Sequence, residues 1–62
     1  MIVQFTDGAV GTPVYINPDY VISVRPEPSE PERFSVVKLK DGETLRVLGD
    51  HREVFSKLES LP

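Results

Sequence analysis

A chain of 62 residues without a single cysteine has few ways to hold itself together. No disulfide can constrain the unfolded chain, and no thiolate can bind a structural metal. Domains this small usually rely on such a staple. Here one hydrophobic core has to suffice, alone or completed by a partner subunit. Apolar residues make up 39% of the chain, enough for one core and not two. Residues 1–62 are therefore expected to form a single small domain.

Alternation of apolar and polar residues dominates the first half. In Ile2–Thr6, the residues Met1, Val3 and Phe5 share one face of a strand. Asp7-Gly8 signals a turn, and Gly11-Thr12-Pro13 lengthens it. Val14-Tyr15-Ile16 reads as a second short strand. Asn17-Pro18-Asp19 breaks it, because proline lacks a donor while Asn and Asp bond their own backbone. Tyr20–Arg25 reads as a third strand, with Tyr20, Ile22 and Val24 on one face and Val21, Ser23 and Arg25 on the other. The segment 26–32, Pro-Glu-Pro-Ser-Glu-Pro-Glu, is expected to be a flexible, acidic, proline-rich loop, since each proline deletes a ladder donor.

Phe34–Lys40 and Glu43–Leu48 supply the fourth and fifth strands, and their register can be argued from chemistry. A two-residue Asp-Gly loop would set Lys38 opposite Leu45, mixing charge with core. A three-residue loop ending in a left-handed Gly42 pairs Val37 with Leu45 and Ser35 with Val47 instead. Register follows the buried face, so the second arrangement is expected, with Val37, Leu39, Leu45 and Val47 together. Asp50 is a natural helix N-cap, with Glu53 three residues on. The stripe His51, Val54, Phe55, Leu58 and Leu61 then has helical spacing. The fold class is α+β, mainly β: a five-strand antiparallel meander with one C-terminal helix packed on one face. The expected core comprises Val3, Phe5, Ile16, Ile22, Val24, Val37, Leu39, Leu45, Val47, Val54, Phe55 and Leu58.

The chemistry-bearing residues are sparse. His51 is the sole histidine and would need an orienting carboxylate and a nucleophile to act as a base. Asp7, Asp19, Asp41 and Asp50 all occupy turns or caps, and none has calcium-loop spacing. No glycine loop joins a strand to a helix in the phosphate-binding manner. The expectation is a non-enzyme without catalytic residues, cofactor or metal. The start of the chain has neither a basic segment nor a long apolar one, and no apolar run nears the ~20 residues of a membrane span. A cytoplasmic location without a membrane span follows as the expectation.

Two kinds of surface remain. Tyr15, Val21, Val36 and Leu48 are apolar and fall on the outer face of the sheet. They are the expected interface for a protein partner or a second copy, as a homodimer or higher oligomer. Arg25, Lys38, Lys40 and Arg46 could gather on the same face. They define the alternative, a single-stranded nucleic-acid or DNA-binding module. The net charge of −3 makes nucleic acid the less favoured partner.

Three runs resemble a known family: Val14–Val24, then Val36–Val47 with its Lys-Asp-Gly turn, then Glu53–Leu58. The chain is similar to the small FlbD/SwrD-type flagellar proteins. Those share an N-terminal strand, an aromatic-aliphatic-Asn-Pro-like turn, an xDG hairpin and a C-terminal Glu-Val-x-x-x-Leu helix. The resemblance covers most of the chain and implies a flagellum-associated accessory or regulatory protein that works through protein contacts. The loop 26–32 is longer than the link expected there. A weaker similarity is to the first half of LytTR-type DNA-binding domains. The half that carries much of their DNA contact has no counterpart here, so DNA binding is not implied.

Overall fold

The computed structural model describes residues 1–59. Five strands and one helix follow in order: β1 (Val3–Thr6), β2 (Pro13–Ile16), β3 (Val21–Pro26), β4 (Phe34–Leu39), β5 (Thr44–Leu48) and α1 (His51–Glu59). This is the expected α+β, mainly-β class. All strand pairs are antiparallel, but the meander is split into a β1–β2 sheet and a β3–β4–β5 sheet.

The split falls at Asn17-Pro18-Asp19. Pro18–Tyr20 forms a 3-10 turn, capped by the Asn17 side chain, which accepts from the Asp19 amide at 3.0 Å. Tyr20 N–H returns to the Asn17 carbonyl, and the Tyr20 carbonyl accepts from Lys40 N–H. Tyr20 thus ends a turn instead of opening a strand. β2 and β3 cannot continue as a hairpin, and the chain passes to the second sheet. The two sheets rejoin elsewhere. Asp7 bridges Val47, and the Gly8 amide donates to the Arg46 carbonyl at 2.7 Å, so β1 lies beside β5.

The β4–β5 hairpin has the register that its buried face demands. Val37 pairs with Leu45 and Ser35 with Val47. Leu39 N–H bonds Glu43 O, Gly42 N–H bonds Leu39 O, and Gly42 has φ of 91°. That is the three-residue loop with a left-handed glycine. Val37 and Val47 are fully buried.

One strand departs from simple alternation. Between Val21 and Ser23 the pairing of β3 with β4 shifts by one residue, so Ile22 is extra. The bulge brings Val21 to the core side and leaves Ile22 exposed at the rim of the same side. Val21, expected on the outer face, packs against the core, while Ile22, expected inside, is 57% exposed. Phe55 was also expected in the core and is 53% exposed. A short helix laid on a sheet buries a narrow stripe, here Val54 and Leu58, and Phe55 flanks it. His51 is exposed at the first helical position, and Leu61 lies outside the described residues. Asp50 caps α1 as expected, accepting the Glu53 amide at 2.8 Å. The core that results is Phe5, Ile16, Val37, Leu39, Val47, Val54 and Leu58, with Val3, Val14, Val21, Val24 and Leu45 packed around it.

Two glycine substitutions separate the two local constraints. At Gly42 a Cβ meets no atom within 4 Å, so Gly42→Ala should lose only the left-handed backbone preference, about 1–2 kcal/mol. At Gly8 a Cβ would sit 2.9 Å from Phe34 Cδ1 and 3.2 Å from the Arg46 carbonyl. Gly8→Ala should therefore destabilise by overpacking, about 1–3 kcal/mol. Urea unfolding measures both. Amide shifts at β1 and β5 should move only in the Gly8 variant.

Candidate functional site

The four residues expected to make one apolar interface do not come together. Tyr15 is exposed on β2, opposite Gln4, in the smaller sheet. Val36 is half-buried in the middle of the larger sheet, and Leu48 is exposed at the end of β5. Leu48 lines a cavity of about 300 Å³ with Phe5, Glu53 and Lys57, where β1 and α1 diverge. Val21 has turned to the core, as described above.

The basic residues do line up, but one of them is already engaged. Arg25 pairs with Val36, and Val36 with Arg46, so the three form a row across β3, β4 and β5. Lys38 lies in the next row between Ser23 and Thr44. Lys40 is exposed beyond the end of β4. Arg46 Nη2 lies 3.6 Å from Glu27 and 3.4 Å from Glu30, and the guanidinium stacks over the Phe34 ring at 4.0 Å. Arg33 joins them, 3.7 Å from Glu30 and 5.3 Å from the same ring centroid. Phe34 is buried by this cover although it stands apart from the main core.

The acidic segment behind this cluster has internal order. The Glu27 amide extends the β3–β4 ladder by donating to the Phe34 carbonyl. Its carboxylate accepts from the amides of Ser29 at 2.8 Å and Glu30 at 3.0 Å. The Glu30 carbonyl in turn accepts from Arg33 and Phe34. The segment expected to be a flexible loop contains a hydrogen-bonded turn around the carboxylate of Glu27, a residue that is 8% exposed. The Ser29 amide bond, opposed by burial and helped by the Glu30 amide and Arg46, holds the Glu27 carboxyl below its ordinary value of 4.5. The Arg46 ion pairs are partly exposed and add little by themselves, so the amide bonds to Glu27 are the larger constraint. Nothing in the composition of Pro-Glu-Pro-Ser-Glu-Pro-Glu singles out Glu27 from its neighbours.

Another concavity lies elsewhere. A groove of about 480 Å³ runs between β3 and α1, lined by Pro18, Val21, Ile22, Ser23, Val24, Phe55, Leu58 and Glu59. It is mostly apolar and opens along β3, which among the described residues pairs with β4 alone. Strand alternation places Ile22 inside, and helical spacing places Phe55 there. The consecutive Val21-Ile22 pair, which no strict alternation can bury on one face, was the signal that a bulge could be present.

For chemistry the site offers little. His51 is exposed near Pro31, Glu32, Asp50 and Arg52, with no serine or threonine lining the same cavity. Among the described residues no group of three or more His, Asp or Glu side chains could hold a metal ion. No described helix is long and apolar enough to cross a membrane. Comparison with protein-family models, with curated proteins and with solved structures finds no match to this chain.

The capped turn gives a pH prediction with a definite sign. A carboxyl whose folded pKa is depressed stabilises the fold above its unfolded value, and that stability is lost as pH falls through the folded value. The urea midpoint should therefore fall as the solution is acidified below the ordinary glutamate range. Glu27→Gln should be less stable than the parent at pH 7, and the gap should narrow in acid. Glu30→Gln, a more exposed side chain, should change both much less.

Proposed function

We propose that this chain is a non-enzymatic protein–protein interaction module, an accessory or regulatory subunit of the FlbD/SwrD flagellar type. One observation carries it. Among the described residues, as many large hydrophobic side chains are exposed as are buried. Phe5, Ile16, Phe34, Val37, Leu39, Val47, Val54 and Leu58 are inside. Met1, Ile2, Val10, Tyr15, Tyr20, Ile22, Leu48 and Phe55 are outside. Singly exposed apolar residues are ordinary, but Ile22 and Phe55 share the rim of one groove beside an unpaired strand edge. Tyr15 and Leu48 offer further contacts on the other sheet and at the end of β5. The flagellar assignment rests on the strand–turn–hairpin–helix resemblance.

Binding of nucleic acid through Arg25, Lys38, Lys40 and Arg46 has weaker support. Arg46 is held by two carboxylates and an aromatic ring, which leaves Arg25, Lys38 and Lys40, with exposed Tyr20 next to Lys40 alone among the strand partners of these three.

The test combines size-exclusion chromatography with light scattering and affinity capture from the parent cell. The interaction module should capture a defined protein partner or form a stoichiometric oligomer, and Ile22→Asp or Tyr15→Asp should weaken that association at least about tenfold. A strict monomer at all concentrations with no captured partner would remove the proposal. Adjacency of the gene to flagellar genes would support the narrower role, and phage or unrelated neighbours would remove it.

A further inference from the structure

The free edge of β3 has two unlike sides. Ile22, Phe55 and Leu58 line the apolar groove on the helix side. On the opposite side of the same sheet lie Arg25 and Lys38, with Lys40 beyond them, all exposed and without an ion pair among the described residues. An edge strand presents alternate unpaired N–H and C=O groups to a passing chain. A chain that adds there sends successive side chains to opposite faces. Its one face would enter the groove and its other would lie beside the cations.

From this geometry we infer that the β3 edge binds an extended protein segment that alternates apolar and acidic residues, adding it to the sheet as a sixth strand. This rests on the protein-interaction role proposed above and names the surface and the chemistry of the partner. Charge complementarity sets the choice. Ser23 is short and lies beside Lys38, so the lysine is not screened from the edge by a bulky neighbour. An acidic side chain on the added strand can meet both Arg25 and Lys38. Glu59 lines the groove side, so acidic groups are accepted on the outer face and opposed on the inner one. A second copy of this chain pairing β3 with β3 would bring two Arg25 and two Lys38 side chains onto one continuous face, which like charges oppose. Pro26 ends the usable edge, because it has no N–H to donate.

The probe is a seven-residue acetylated and amidated peptide, Glu-Val-Glu-Ile-Glu-Val-Glu, titrated into the full isotope-labelled chain. The control is the same peptide with lysine for glutamate. The glutamate peptide should shift amides of β3 and of the Phe55–Glu59 end of α1 and leave the β1–β2 hairpin unmoved. Its affinity should fall with added salt and exceed that of the lysine peptide at least about tenfold. Combined Arg25→Glu and Lys38→Glu substitutions should reverse that preference, and Ile22→Asp should abolish both. These side chains are exposed, and the unchanged β4–β5 amide pattern verifies folding. The wild-type comparison of the two peptides needs no variant at all. No shift at β3, equal affinity for both peptides, or shifts confined to the β1–β2 hairpin would overturn the inference. So would a concentration-dependent dimer that uses the β3 amides. A chain that captures partners through Tyr15 or Leu48 yet leaves β3 silent fails this inference alone. A chain that associates with nothing fails the interaction role as well.

Discussion

The two sheets of this protein depend on one close approach. Gly8 comes against the Arg46 backbone and the Phe34 ring so tightly that no side chain fits between them. The Gly8 amide and the Asp7–Val47 bridge join β1 to β5 there. From the other side of the same residue, the Arg46 guanidinium covers Phe34 and reaches Glu27 and Glu30. A single residue therefore ties the smaller sheet, the larger sheet and the acidic turn together. Its backbone does the first task and its side chain the second. In a chain without a disulfide, this junction acts as the cross-link between segments distant in sequence.

Local rules were enough where one face had to be buried. The β4–β5 register followed from keeping Lys38 away from Leu45, and the left-handed glycine at 42 completed it. The Asp50 cap and the Val54–Leu58 pair followed from helical spacing. Local rules failed where a long-range contact decided the outcome. Alternation placed Ile22 inside, but the bulge against β4 turned Val21 inward instead. The composition of residues 26–32 gave no reason for order. The order comes from the Glu27 carboxylate receiving two amides and from Arg46, nineteen positions later by the numbering, which no local pattern can reveal.

The candidate surface was half legible for the same reason. That the outer sheet face carries both apolar and basic residues could be seen in strand periodicity, and Arg25, Val36 and Arg46 do form a row. Their neighbours could not be seen. Tyr15 belongs to a different sheet because the Pro18 turn breaks the meander, and Arg46 is occupied by carboxylates from a loop. The groove beside β3 exists because of two residues misplaced by simple periodicity, Ile22 and Phe55. The same irregularity that spoils the pattern opens a mostly apolar groove.

The β1–β5 junction also orders events during synthesis. Among the described elements β1 and β2 come earliest in sequence, yet their neighbour β5 is the last strand. The β4–β5 hairpin has only local loops to close and can form as soon as it emerges. The N-terminal hairpin must wait, with Phe5 and Ile16 still uncovered, until Arg46 and Val47 arrive. Two-stranded hairpins are marginal on their own in water. Until β5 pairs there, the apolar side chains of the β1–β2 hairpin lack the cover that the folded chain gives them.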